Sequence, residues 1–426
     1  MKVKGGLMTK EKFMRKTMRK VLLSTAILVG TALAVPQATQ AAPRQIVVLV
    51  AEGLSPQMME LGTSYVKRAQ GEDAVSGLEE MRGQAKTGPA GADAVAGLHN
   101  LLKNAAAQGY KTGLVTTDDV TKVAPLFYGL AGGNGPDMAR TLVNDVKFDF
   151  LAGGGRGAFV PQGKAGSLRT DAVDLGTDLT KAGGTAIFDA DMLETVEEIK
   201  GKTLVLQSDA SLTYAIDHDA AIEGGLSDLA ALALNTLSRD NAPFVLVIHD
   251  TLLAKALAAK DSPAVAGQFQ ELDNIVTNVL SLREESAEPA DFGFALLSTG
   301  AAITPRFATT ADERSNTLFI LTQLLMSYSK AGATLKGTDE AKLTDFAKEE
   351  YIGWKLSPEN RATLLAGTLD AETAIRASYE PALKISYEPI AAAPAVYTVG
   401  LELAGDLVQT LNALVLAKPA PAAVAK

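Results

Sequence analysis

Three runs of this chain are apolar at almost every position, QIVVLV (45–50), FVLVIHD (244–250) and FGFALLST (292–299), and KTGLVTT (111–117) reads as a strand beside them. A strand with one wet face alternates apolar and polar residues. Strands apolar on both sides must be covered on both faces, which is the habit of parallel sheets wrapped by helices. Helical stretches alternate with these runs: 55–69, opening on Ser55; 98–109, ending at Gly109; 228–241; and 268–286. FDFLAGGG (148–155), TLVLQS (203–208) and APAVYTVG (393–400) read as further strands, and 404–417 as a closing helix. The expected fold class is therefore α/β, one mostly parallel sheet with helices on both faces.

In such a sheet ligands sit beyond the carboxyl ends of the strands. That directs attention to Ala51–Ser55, Thr116–Asp119, His249–Asp250 and Ser298–Ala301. A Gly/Pro loop running into a small-residue helix, KTGPAGADAVAGL (86–98), is a natural mount for a reactive side chain. It holds no Ser, Cys or His, and its one carboxylate, Asp93, falls in the helical part.

In order and spacing these segments resemble the alkaline phosphatase family over residues 44–417. IVVLVAEGLS resembles the family's first strand and its Gly-Asp-Gly-Met-Gly end. GYKTGLVTTDDVTKVAPLFYGL (109–130) resembles its Val-Thr-Thr strand and Thr-His/Asp-Ala-Thr-Pro turn. FDFLAGGGRGAFVP resembles its Gly-Gly-Gly-Arg segment. LSRDNAPFVLVIHD, QELDNIVTNVL and FALLSTGAA resemble its Glu-Gly strand, linking helix and Ala-Asp-His strand. The resemblance implies an alkaline-phosphatase-like fold.

The same resemblance places the family's metal-binding aspartate and nucleophilic serine at Pro89 and Ala90, neither of which can do that chemistry. The ligand aspartate of the first strand becomes Glu52. Turn ligands become Lys122 and Ala124, and the glutamate of the Glu-Gly strand becomes His249. Further ligands fall at Ala254, Ala258, Gly300, Ala301 and, loosely, Pro389. Lys255 matches a basic residue of some members, and the phosphate-binding arginine falls near Gly135. A two-zinc site needs several His and carboxylate ligands. This chain has three histidines, His99, His218 and His249, and only His249 stands at a strand end.

No catalytic residue is expected, the nucleophile position being Ala90, and no cofactor. The alternative is a divergent metal-dependent phosphoesterase holding a divalent metal, Zn or Mg, on Glu52, His249, Asp250 and Asp119. That alternative requires His249 and Asp250 to face one cleft, hence a strand ending at Ile248, because adjacent strand residues point to opposite faces. Otherwise Glu52 reads as a cap for the helix near Ser55, Lys122 as a neutraliser of Asp118 and Asp119, and His218 as part of a solvated acidic loop. GGGR (153–156) reads as a turn, lacking the rest of a P-loop. Small apolar groups should line the former cleft.

The N-terminus reads as an export signal. Basic residues at 10–20 precede the apolar run VLLSTAILVGTALAV (21–35), and Thr39 and Ala41 suit cleavage after Ala41. The start codon is open among Met1, Met14 and Met18. The expected domains are a signal peptide 1–41, one domain 42–417 and a frayed tail 418–426. Residues 1–41 hold eight Lys/Arg and one Glu, so the remainder carries −16 rather than −9. That charge excludes nucleic acid as a partner. The absence of cysteine excludes disulfides and thiolate metal sites. The expected setting is periplasmic or secreted, with no integral membrane segment after cleavage. The partner is an envelope protein or small ligand, and homo-oligomerisation is left open.

Overall fold

The computed structural model describes residues 44–417 apart from 72, 92, 196–198, 240–241, 287, 300–302, 308–309, 350–355 and 391–393. The leader, its cleavage site, the tail, Gly300 and Ala301 lie outside the described residues. Eleven strands are described: β1 (Gln45–Ala51), β2 (Lys86–Pro89), β3 (Lys111–Asp119), β4 (Phe150–Gly154), β5 (Thr185–Ile187), β6 (Thr203–Ser208), β7 (Phe244–Asp250), β8 (Phe292–Ser298), β9 (Ile303–Arg306), β10 (Ser386–Pro389) and β11 (Ala395–Val399). Nine of them form one sheet in the order β2-β11-β8-β1-β7-β3-β4-β6-β5. From β8 to β5 every pairing is parallel; β11 runs antiparallel to both β8 and β2.

The parallel sheet matches the expectation, and the reason lies in side-chain alternation. Val47, Leu49 and Ala51 of β1 face one core with Leu246, Ile248, Phe294 and Leu296. Ile46, Val48 and Val50 face the other with Val245, Val247, Ala295 and Leu297. Helices Pro56–Gln70, Leu226–Ser238, Leu252–Ala259 and Ser262–Glu285 cover the first core. Helices Ala94–Ala107, Val120–Tyr128, Gly135–Asn144 and Leu407–Leu416 cover the second.

Helix starts follow polar caps more closely than apolar period. Ser55 caps Met58 N, with Pro56 next to it. The long helix begins at Ser262, ahead of the expected 268, because Asp261 accepts from Ala264 N and Pro263 fits the first turn. The closing helix begins at Leu407, where Asp406 accepts from Gln409 N at 2.8 Å. Asp93 is a correction. It stands before the helix at φ 56° with no side-chain capping bond.

One region was not read from the sequence. β9 and β10 pair as a separate antiparallel ribbon, and between them hang helices Ala311–Leu321, Tyr328–Thr334, Glu340–Glu349, Pro358–Leu365 and Ala371–Leu383. These share a core of their own that includes Leu318, Leu335, Ile375 and Leu383, joined to the main body through Tyr65 and Ala266. Among the described residues no helix is long and apolar enough to cross a membrane.

Candidate functional site

The carboxyl ends of β1, β7, β3 and β8 lie side by side, bringing Glu52, His249–Thr251, Thr116–Asp119 and Ser298–Thr299 to one edge. Glu52 N donates to Asp250 O at 2.9 Å, tying the turn after β1 to β7. Gly53, at φ +82°, lies against helix Leu252–Ala259 so closely that a Cβ would stand 2.8 Å from Ala254 Cα. That contact explains a small residue at Ala254.

Strand β7 continues through Asp250, so His249 and Asp250 point to opposite faces and cannot share one ion. The condition set for a three-ligand site is not met. His249, 2% exposed, shares a register row with Val50 and Thr116. Its Nε2 lies 2.8 Å from Glu52 Oε1 and its Nδ1 lies 3.2 Å from Thr116 Oγ1. Phe127 meets the ring edge to face at 5.0 Å. Glu52 is thus not the cap of the helix near Ser55. Ser55 supplies that cap, and the Glu52 side chain, 35% exposed, is drawn to the histidine instead.

Asp250 is fully buried on the other face. Its Oδ1 accepts from Leu252 N at 2.9 Å and Gln268 Nε2 at 3.3 Å, while Oδ2 has no partner. Burial pushes its pKa up, outweighing those donors. For an acid whose folded pKa is raised, stability is greatest below the unfolded value and is lost as pH rises through the folded one. Asp250→Asn keeps the Oδ1 bonds and removes the buried charge. It should raise the urea midpoint at pH 8, by the equivalent of roughly 1 kcal/mol, the gain vanishing toward pH 4. An equal change at both pH values would show that burial of charge is not the cause.

Asp119 takes a different job from metal binding. Its Oδ1 accepts from Thr121 N at 2.9 Å and Thr121 Oγ1 at 2.7 Å, capping helix Val120–Tyr128. Lys122 Nζ lies 3.9 Å away, in keeping with neutralisation. Asp118 belongs to a separate cluster, accepting from Ser211 Oγ at 2.6 Å and pairing with Lys255 Nζ at 3.2 Å. Burial pushes the Asp118 pKa up, but Ser211, the Asp119 amide and Lys255 outweigh it and hold the carboxyl below its ordinary value.

The remaining sequence candidates lie apart or carry no donor. Ala90, 4% exposed, packs within the second core, as does Ala124. Ala258 is an exposed helix residue, Gly135 starts a helix, and Pro389 ends β10. Of GGGR, Gly153 and Gly154 end β4 and only Gly155 and Arg156 turn away from it: Gly155 N donates to Ser208 O and Ala210 O, and Arg156 pairs with Asp209 and Asp189. His218 is half-buried rather than solvated, with Nε2 against Glu223 O. His99 Nδ1 meets Ala96 O on its own helix at 2.6 Å. Among the described residues no three His, Asp or Glu side chains stand together as a metal could require. Sequence reasoning missed Thr116 as a partner of His249; aligning the starts of KTGLVTT and FVLVIHD would have set the two on one row.

These features define an α/β protein with its candidate site at the carboxyl edge of a mainly parallel sheet, joined by an antiparallel strand. The chain is alkaline-phosphatase-like in fold and, over part of its length, in sequence. The family profile described as Alkaline phosphatase matches residues 127–289. Alkaline phosphatase of Schizosaccharomyces pombe is 29% identical over 150 residues, 32% of this chain and 27% of that protein, so the match spans about a quarter of that relative. A cold-active alkaline phosphatase from Shewanella sp. superposes with a TM-score of 0.67 at 14% identity, over 88% of this chain and 100% of that one. The Thermus thermophilus alkaline phosphatase superposes with a TM-score of 0.67 at 16% identity, over 90% and 95%.

Proposed function

We propose that this is an exported alkaline-phosphatase-like protein that does not hydrolyse phosphate esters and acts by binding a small ligand or an envelope partner, or structurally. The observation that carries the reading is that both ring nitrogens of His249, the one histidine at the strand ends, are occupied by Glu52 and Thr116. The hydroxyl on Nδ1 belongs to a fully buried residue that no substrate reaches, and Nε2 can take a substrate proton or an ion only by losing its bond to Glu52.

The residues present do not fit the metals that the family resemblance implies. Pro89, Ala90, Ala124 and Ala254 offer no side-chain donor atom, Asp119 caps a helix, and Asp250 faces the opposite core. No step through a metal is derived. The leader motivates export, with the mature chain starting at Ala42.

The test is made on the exported protein. Terminal sequencing should begin at Ala42, and mass spectrometry should find zinc far below one equivalent. EDTA should leave the Tm unchanged, and p-nitrophenyl phosphate should not turn over with Zn²⁺, Mg²⁺ or Mn²⁺. Ala90→Ser should not restore turnover, since a lone hydroxyl without metal or base stays protonated. Stoichiometric zinc, or metal-stimulated phosphate release lost in Glu52→Gln, would establish the divergent phosphoesterase instead.

A further inference from the structure

We infer that Thr116 is a positioning residue that fixes His249 with its proton on Nε2, and that this fixed donor keeps the strand end closed to a divalent cation. The inference rests on the inactive reading above and adds the residue responsible for it.

The argument is a count of donors and acceptors around one ring. Thr116 Oγ1 already accepts from Asp118 N, 3.1 Å away. Thr116 is fully buried, so its hydroxyl proton needs an acceptor inside the protein, and His249 Nδ1 at 3.2 Å is in place. A nitrogen that accepts from a hydroxyl carries no proton. The ring proton then resides on Nε2 and points at Glu52 Oε1, 2.8 Å away. Every group in the chain Asp118 N–H, Thr116 O–H, His249 and Glu52 is matched.

The other protonation patterns fail on the same count. With the proton on Nδ1 alone, the Nε2 lone pair would face the carboxylate lone pairs of Glu52. With both nitrogens protonated, Thr116 Oγ1 would accept twice and its own proton would be orphaned in a buried place. A cation bound between Glu52 and His249 needs the bare Nε2 that this arrangement denies. The hydroxyl one strand away decides it, as partners of a ligating histidine commonly do.

The inference is tested by two-bond ¹⁵N–¹H correlation spectra of the histidine rings of the full chain near neutral pH, His249 being assigned by loss of its signals in His249→Gln. The expected pattern is a protonated Nε2 and a bare, hydrogen-bonded Nδ1. Thr116→Ser should retain it. Thr116→Val should move Nδ1 to the position of an unbonded bare nitrogen, a change that simple loosening of the fold would not produce. Zinc chloride should leave the wild-type ring nitrogens in place. In Thr116→Ala water can fill the vacated space and accept from Nδ1–H, which lets the ring present a bare Nε2, so zinc should bind about tenfold tighter than to wild type. A proton on Nδ1 in the wild type, tautomers in rapid exchange, a Thr116→Val spectrum equal to wild type, or a Thr116→Ala zinc affinity equal to wild type would overturn the inference. Zinc shifting the wild-type Nε2 would instead overturn the inactive reading. The wild-type spectrum decides the tautomer even if the valine variant does not fold.

Discussion

Asp261→Ala should lower the stability of the folded chain by about 3 kcal/mol or more, the largest loss expected from any single polar side chain here. Asp261 is 1% exposed, and its two oxygens serve three amides. Oδ1 accepts from Ala264 N at 3.1 Å and Tyr328 N at 3.2 Å, and Oδ2 from Ser329 N at 3.2 Å. One carboxylate thus caps the long helix Ser262–Glu285 and also seats the first turn of Tyr328–Thr334 from the helical insert. Truncation leaves two buried donors and one part-buried donor without an acceptor, each buried one costing about 1–3 kcal/mol. Asp217, which accepts from Ser327 N at 2.7 Å, holds the same turn from its other side and limits the damage. The measurement is the urea midpoint, paired with limited proteolysis, which should cut faster between residues 311 and 383 than elsewhere. A midpoint near wild type would mean that the insert is seated by its apolar core alone.

Gly154→Ala should be worse, about 4 kcal/mol or enough to prevent soluble accumulation. Gly154 closes β4, and a Cβ there would lie 1.7 Å from Ala210 O and 2.8 Å from Ala210 C, which are main-chain atoms. The segment cannot step aside freely. Gly155 N holds Ala210 O at 2.7 Å, Leu212 N holds Thr117 O at 2.8 Å, and Ser211 holds Asp118. Gly132→Ala is the control: nothing lies within 4 Å of its Cβ position, and it should change stability by about 0.5 kcal/mol at most. Equal behaviour of the two variants would refute the close-approach argument.

The sequence made the sheet legible because burial on both faces leaves a signature in the strands themselves. Each of 45–50, 203–208 and 244–250 appears as a strand at those positions, and 244–249 and 293–298 flank β1 within one sheet. Caps were legible where Ser or Asp met Pro, as at Ser55, but were overlooked at Asp261 because the apolar period begins later. The insert was not legible. Its helices are short, and they bury mainly against one another, so each shows only a narrow apolar stripe. At the strand ends the sequence pointed to Glu52 and His249 but could not pair them. Their bond spans two strands 197 residues apart, and it forms only because β7 runs on through Asp250. Asp93 failed for a local reason, its left-handed conformation just ahead of the helix, which a helical pattern does not announce.

The β9–β10 ribbon carries a consequence for how such a chain can change over generations. Arg306 pairs directly with Ser386, so the 79 residues between them leave and return at neighbouring points of one ladder. Paired strands stand roughly 5 Å apart, and closing a longer or shorter excursion changes the entropy only logarithmically. The main sheet therefore has no gauge of what hangs from the ribbon. Lengthening, trimming or exchanging that stretch leaves the nine-stranded register untouched, so divergence in length can accumulate there while the scaffold stays fixed.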